Sequence, residues 1–111
     1  MSVKDKIKEI FGWLQGRRFS VVAGQGVYIG KHCALKGKNN ITLEDSVTVR
    51  PYAKIWSGGT VRIGRGSEIG ERCRISIANS LNMGEKVLLS PNVYITDCDH
   101  EYRNLEVPVI D

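Results

Sequence analysis

The stretch VRIGRGSEIGERCRISIANS, residues 61–80, decides the fold because its pattern continues on both sides. Isoleucines stand at Ile63, Ile69 and Ile75, so the step between them is six, and Met83 follows Ile63 by twenty. A step of six fits neither the 3.6-residue period of a helix nor the simple alternation of a long strand. The stretch therefore indicates a repeating structure whose unit is about twenty residues long.

The same spacing extends over the chain from Val21 onward. Twelve aliphatic positions follow it in four groups: Ala23, Ile29, Leu35; Leu43, Val49, Ile55; Ile63, Ile69, Ile75; and Met83, Leu89, Ile95. A second aliphatic set precedes each group by two residues: Val21, Ile41, Val61, Leu81. A third, mostly small set follows the group members by four residues and is predicted to face inward: Val27, Val47, Ser67, Val87; Cys33, Ala53, Cys73, Val93; Asn39, Gly59, Asn79, Asp99.

Corners between these positions, such as GRG and SPN, are rich in residues that tolerate turns, and glycines are expected where the backbone is left-handed. The spacing predicts an all-β solenoid over residues 21–100, with three short strands per coil and about four stacked coils.

A helix is predicted before the coils. Ser2 can cap it with Asp5, a stripe at Ile7, Ile10, Phe11 and Leu14 has helical spacing, and Gly16 is a stop signal. We interpret residues 1–16 as a helix that covers the open end of the first coil. The lysines at positions 4, 6 and 8 leave open a peripheral role at a membrane surface.

Length and composition indicate one soluble globular domain. The 111 residues contain 41% apolar and 25% charged side chains, without an apolar run long enough to span a membrane and without a signal peptide, so we expect a cytoplasmic protein. Residues 1–96 carry 15 Lys and Arg against 7 Asp and Glu, whereas residues 97–111 carry 1 against 5. The basic body could attract an anionic partner or be an ordinary solvated surface. The three cysteines cannot all pair within the chain, and Cys33 and Cys73, which occupy equivalent small-residue positions, are expected to be reduced packing residues.

The units IGKHCA, IGRGSE, IGERCR and MGEKVL, followed by VLLSPNVYITDCDH and EYRNLEVPVID, resemble the hexapeptide repeats of left-handed parallel β-helix acyltransferases. The resemblance covers residues 21–111 and implies a left-handed coil, acetyl-CoA or another acyl-CoA as co-substrate, and a homotrimer. It also implies that His100, at the end of the repeat, is the general base. A sugar or polysaccharide hydroxyl would be the acceptor, and no nucleic acid is expected.

Within that family the chain is most similar to the branch that O-acetylates cell-surface polysaccharides. The branch that acetylates maltose and galactosides carries an asparagine where this chain has Gly70, and MSVKDKIKEIF does not match its N-terminal segment. Family members also continue beyond the PVID loop. We therefore expect residues 101–111 to begin a C-terminal part that this chain lacks, which would make the chain either a fragment or a truncated, inactive gene product.

The twenty-residue period places His100 in a column with Asn40, Thr60 and Ser80, and strand alternation predicts that this column points outward. A fifth coil would need aliphatic residues at 101 and 103, where the chain has Glu101 and Arg103. Residues 101–111 are therefore predicted to leave the stack as a projecting loop.

An imidazole with a pKa near 6.5 suits proton removal from an alcohol at neutral pH. Asp97 and Asp99 either orient His100 or are simply solvated, and with Ser80 they are the candidate substrate-binding residues. The residues that bind the coenzyme are left open. His32, in the corner GKH, is expected to be structural or merely exposed.

Other functions fit the sequence less well. Adjacent residues in DCDH do not converge on a metal ion, and two histidines are too few for the three-histidine zinc site of related carbonic anhydrases, so no metal is expected. The column at 40, 60, 80 and 100 is not the row of threonines of an ice-binding solenoid, and no nucleotide-binding domain is present. The open alternative is a non-catalytic β-helix scaffold or an inactive fragment of such an enzyme.

Overall fold

The computed structural model of the protein describes residues 3–97, in which one helix precedes eleven short strands. The helix α1 spans Val3–Phe19. The strands are β1 (Val22–Ala23), β2 (Tyr28–Ile29), β3 (Ala34–Lys36), β4 (Ile41–Leu43), β5 (Thr48–Val49), β6 (Lys54–Ser57), β7 (Thr60–Ile63), β8 (Glu68–Ile69), β9 (Arg74–Ile77), β10 (Ser80–Met83) and β11 (Tyr94–Thr96).

The strands form three parallel sheets that wrap around one core. The first sheet has the order β1-β4-β7-β10, the second β2-β5-β8, and the third β3-β6-β9-β11. Partners in neighbouring coils are twenty residues apart throughout, as Ile55 and Ile75 are in the third sheet. The structure thus confirms a parallel β-solenoid of about four turns with a period of twenty and an N-terminal helix.

The core is a column of branched aliphatic side chains that run along the solenoid axis. The largest side chains with almost no exposed surface are Ile41, Leu43, Ile55, Ile63, Ile69, Ile75 and Ile77. Of the twelve predicted inward positions, nine are buried, while Ala23, Leu89 and Ile95 are partly buried against the core because they lie in the terminal coils. Burying each such side chain contributes about 1.5–3 kcal/mol to folding, which compensates for strands this short.

One inward column differs from the prediction. Asn39 and Asn79 are exposed, and the buried residues on that side are Ser57 and Ile77, two positions earlier in the coil. The sides are unequal: the step from Ile55 to the next group is eight rather than six. Strand alternation therefore continues for two more residues before the chain turns.

The corners also differ from the expectation that glycines would fill left-handed positions. Positive φ angles recur every twenty residues in two columns, and glycine occupies two of the eight places: Gly26, Ser46, Gly66, Lys86 and His32, Tyr52, Arg72, Asn92. Backbone bonds between coils hold these corners, as when Lys86 N donates to Arg65 O at 2.8 Å. Stacking therefore imposes a backbone that the side chains alone would disfavour.

Helix α1 continues through Gly16 to Phe19, so the predicted stop at Gly16 is wrong. Gly16 O accepts a bond from Val21 N at 2.9 Å, which helps the chain to turn into the first coil. A Cβ added to Gly16 would lie 2.7 Å from Val21 O, and one added to Gly12 would collide with the Gly24 carbonyl. The helix therefore packs on the first coil through its glycines.

Three of the four residues of the predicted helical stripe are exposed, and the side chain of the fourth, Phe11, lies outside the described part of the structure. Ile7, Ile10 and Leu14 are exposed by 61%, 50% and 49%. Because glycine lacks a side chain, the helix backbone comes closest to strand β1 on its glycine side. The contact with the first coil is therefore made by that side, and Ile7, Ile10 and Leu14 face solvent. Within residues 3–97, no helix has the length and apolar content that crossing a bilayer requires.

Candidate functional site

Two of the four predicted site residues belong to the part of the chain that the structure describes. Ser80 opens strand β10, and Asp97 directly follows strand β11. His100 and Asp99 lie outside the described residues, as do Cys98 and the loop predicted over 101–111. The described part of the candidate site therefore consists of Ser80, Asp97 and their neighbours.

Ser80 belongs to the predicted outer column. It pairs in register with Thr60 of strand β7, and both residues are exposed, which confirms the outward direction at these two positions. Asn40 differs because it is half-buried: its Nδ2 donates to the Ser57 carbonyl at 3.3 Å and to the Gly59 carbonyl. Thr60 and Ser80 therefore offer hydroxyl groups to solvent, whereas Asn40 holds a turn.

Asp97 is bound to the turn that leads into Ser80. Its carboxylate accepts hydrogen bonds from the backbone N–H groups of Ala78 at 2.7 Å, Asn79 at 2.8 Å and Ser80 at 3.1 Å. These donors, that of Ala78 foremost, hold the pKa of Asp97 below its ordinary value. The structure thus brings Asp97 and Ser80 together through the Ser80 backbone, and it gives Asp97 a clear structural task.

The position of Asp97 explains how this is possible. The residues twenty and forty positions before Asp97 are Ile77 and Ser57, which are both buried in the third side of the coil, the side with the longer step of eight residues. Asp97 therefore occupies the position at which the two preceding coils place a buried side chain, but it is only half-buried and its carboxylate binds the turn of the preceding coil. Sequence analysis missed this role because it assigned the inward column to positions 39, 59, 79 and 99.

The chain matches no protein-family model, and no curated protein or solved structure is significantly similar to it.

A surface of cations and aromatic rings leads up to Asp97 on the outside of the third sheet. Strand register aligns Lys54, Arg74 and Tyr94 in one row and Lys36 with Trp56 in the next. We call these five residues the cation–aromatic face. Trp56 is 47% and Tyr94 59% exposed, and the Arg74 guanidinium lies 6.0 Å from the centre of the Tyr94 ring. Sequence analysis missed this face because it followed inward positions, although the same period of twenty aligns the outward ones.

The charge of this face distinguishes it from the other two sheets. Strand β7 of the first sheet carries Arg62, which pairs with Glu44 just after strand β4, and strand β8 of the second sheet carries Glu68, to which Arg50 just after strand β5 donates at 2.9 Å. The pairing with Glu68 raises the pKa of Arg50. The strands of the third sheet contain three cations and no Asp or Glu. This sheet therefore offers a positive surface suited to an anionic ligand.

A stacked ladder borders the third sheet at one corner. The His32 ring lies 5.0 Å from the Tyr52 ring at an interplanar angle of 22°, and the Arg72 guanidinium lies 5.4 Å from the same ring. The three residues occupy one corner column, twenty residues apart. His32 is thus exposed and stacks against a neighbouring coil, which fits the expectation that it is structural or merely exposed.

The described cysteines are packing residues, as expected. Cys73 is buried and its Sγ donates to Ser90 O at 3.0 Å, while Cys33 is half-buried and donates to Arg50 O at 3.1 Å. Partial burial raises the pKa of the Cys33 thiol. The raised pKa disfavours the thiolate of Cys33, which is the reactive form of a cysteine.

Proposed function

We propose that this protein is an acyl-CoA-dependent O-acyltransferase that transfers an acetyl group to a hydroxyl of a sugar or polysaccharide, with His100 as the general base. The observation that carries the proposal is the exposed column of Thr60 and Ser80, anchored beneath Ser80 by Asp97. The period of twenty predicts that His100 belongs to the same column. The type of reaction, the role of His100 and the left hand of the coil are taken from the resemblance to hexapeptide-repeat acyltransferases.

The proposed reaction needs a base next to a positioned alcohol. His100 would take the proton of the acceptor hydroxyl as its oxygen attacks the thioester carbon of acetyl-CoA, and the coenzyme thiolate would leave. A nearby carboxylate favours the protonated imidazole that forms in this step, and Asp97, whose pKa is lowered, would supply such a negative charge at neutral pH. The exposed Ser80 hydroxyl would bind an acceptor hydroxyl beside it.

The cation–aromatic face supports an acidic polysaccharide as the acceptor. Strand β11 carries Tyr94 and ends one residue before Asp97, so a polymer that lies across the third sheet would reach the proposed reaction centre. Lys54 and Arg74 would bind its carboxylate groups, and Trp56 and Tyr94 would pack against sugar rings. Successive coils are about 4.8 Å apart, which gives these groups a regular spacing along the polymer.

A non-catalytic solenoid that binds the same kind of polymer is the second candidate. It is favoured by the cation–aromatic face itself, since such a face needs no chemistry to hold an anionic chain. The two candidates differ in one readout, the release of coenzyme A thiol from acetyl-CoA in the presence of an acidic polysaccharide. Release that depends on the polysaccharide supports the transferase, whereas binding of the polysaccharide without release supports the scaffold.

The contribution of the face is tested with charge-neutral variants. Lys54→Gln with Arg74→Gln should raise KM for an acidic polysaccharide several-fold and leave kcat nearly unchanged, because binding is removed and the reacting groups are not. Lys86→Gln is the matched control, since Lys86 is an exposed cation in the corner column of Gly26, Ser46 and Gly66, outside the cation–aromatic face. An equal KM in all three proteins would contradict the assignment of the face to the acceptor.

A further inference from the structure

Helix α1 presents an apolar stripe to solvent. Val3, Ile7, Ile10 and Leu14 are spaced by four, three and four residues, so they follow one another along a single side of the helix. Their exposed fractions are 78%, 61%, 50% and 49%. About half or more of each side chain is therefore exposed. A continuous row of four exposed aliphatic side chains is unfavourable in water unless a partner covers it.

The solenoid does not use this stripe to hold the helix. The glycines at positions 12 and 16 face strand β1, and Gly26 N donates to Lys8 O at 3.3 Å. At 100° per residue these glycines lie on the opposite side of the helix from the stripe. The helix is therefore already fixed to the first coil, and its apolar side is left for a partner.

A second row of side chains borders the stripe and has the composition of a membrane interface. Lys6, Trp13 and Arg17 are spaced by seven and four residues, and Trp13 is 59% exposed. The Arg17 guanidinium lies 5.4 Å from the centre of the Trp13 ring. Tryptophan rings and the long stems of lysine and arginine prefer the boundary between hydrocarbon and water.

We propose that helix α1 binds the surface of an anionic lipid membrane, with Val3, Ile7, Ile10 and Leu14 inserted among the acyl chains. Residues 1–19 contain five Lys and Arg and two Asp and Glu, so the helix is complementary in charge to an anionic bilayer. A second copy of the same helix would bring like charges together at the edges of the stripe. A helix of 17 residues is about 26 Å long and would lie in the plane of the membrane.

This binding is independent of the proposed acyl transfer, and it is tested on the full chain with vesicles. The protein should sediment with vesicles of phosphatidylcholine and phosphatidylserine and remain in solution with phosphatidylcholine alone. The triple change Ile7→Ser, Ile10→Ser and Leu14→Ser should weaken the partition about tenfold or more. Leu88→Ser is the matched control, because Leu88 is 69% exposed on the coils and far along the chain from the helix.

Charge and spectroscopy give two further readouts. Each change of Lys4, Lys6 or Arg17 to Gln should weaken binding about fivefold at low salt, and added salt should reduce the difference. In a Trp56→Phe background, in which Trp13 is the remaining tryptophan, anionic vesicles should shift its emission to shorter wavelength. These changes affect exposed side chains, so thermal melts should stay close to the parent.

Three results would overturn the proposal. The first is failure of the parent protein to bind anionic vesicles, and the second is equal binding by the parent and the triple serine variant. The third is sedimentation velocity that shows a self-associated parent and a dissociated triple variant without vesicle binding, because the stripe would then be a contact between copies of the chain.

Discussion

The carboxylate of Asp97 accepts a hydrogen bond from the backbone N–H of Ala78 at 2.7 Å, the shortest of three such bonds to the turn of the preceding coil. In the preceding coil, the equivalent Gly58 N and Thr60 N donate to the backbone carbonyls of Ile77 and Asn79. Asp97 therefore closes the turn beneath Ser80, and the proposed reaction centre depends on the order of this turn.

Replacing Asp97 with Asn should lower the melting temperature at pH 7. The amide retains one acceptor oxygen for three N–H donors and loses the negative charge that strengthens these bonds. Glu85→Gln is the control, since Glu85 is exposed and pairs with Arg65 at a distance of 3.9 Å. Equal melting temperatures for Asp97→Asn and the parent would contradict the structural role of the carboxylate.

The same pair of proteins should show a defined pH dependence. Because the folded protein lowers the pKa of Asp97 below the ordinary value of 3.8, the ionised form stabilises the fold above that pH. This contribution is lost as the pH falls through the lower pKa of the folded state. The difference in melting temperature between parent and Asp97→Asn should therefore be constant from pH 5 to 8 and shrink below about pH 4. A difference that grows on acidification would contradict this assignment.

Gly66→Ala should destabilise the fold by about 1 kcal/mol, because Gly66 has a φ of +74° that an alanine adopts at a cost. A Cβ at this position would also lie 3.3 Å from Lys86 Cγ. Gly84→Ala is the matched control in the next coil, where a Cβ would have no atom within 4 Å. Urea unfolding of the two variants measures the free energy of unfolding. An equal decrease in both would contradict the positive φ of Gly66 as the cause of the destabilisation.

Asn40→Ala should destabilise the protein by about 1 kcal/mol, since it removes the side-chain donor that binds the Ser57 and Gly59 carbonyls. Thr60→Ala is the control, because Thr60 occupies the next place in the same column but is exposed. Its unfolding free energy should change by less than about 0.5 kcal/mol. Similar losses in both variants would mean that the column does not divide into a turn-holding and a solvent-facing part.

The full chain is expected to sediment as a trimer, with a mass close to three times 12.4 kDa. A cyclic trimer would cover flat sheet faces that a single solenoid leaves in water. Sedimentation equilibrium measures the mass directly. A monomer mass over the micromolar range would contradict the trimer, which rests on the resemblance and not on a described contact.

The coils could be predicted because aliphatic spacing repeats without interruption. Each of Ile63, Ile69 and Ile75 has counterparts twenty residues before and after, and all three are buried as expected. The direction of Asn39 and Asn79 could not be predicted in this way, because the count assumed three equal sides. The burial of Ser57 and Ile77 shows that the third side is longer.

The side of helix α1 that contacts the first coil could not be predicted from the apolar spacing, for a different reason. An apolar stripe at Ile7, Ile10 and Leu14 predicts a buried face, but contact with the first coil is made through Gly12 and Gly16, where the backbones approach most closely. The cation–aromatic face was predictable in principle from the same period of twenty. The hand of the coil and the role of His100 come from the resemblance, and both stay predictions.

The most direct test of the account is the rate of coenzyme A release from acetyl-CoA with an acidic polysaccharide, measured for the parent, His100→Ala and His32→Ala. Loss of a general base should reduce the rate of His100→Ala about 10²–10⁴-fold, while its melting temperature stays near that of the parent. His32→Ala removes the other imidazole, which is stacked on Tyr52, and should retain most of the activity. Cys73→Leu should do the reverse of His100→Ala and lower the melting temperature, because it overfills a buried position at a cost of about 1–3 kcal/mol. Equal rates for the parent and His100→Ala, or no release by the parent above the uncatalysed rate, would contradict the account.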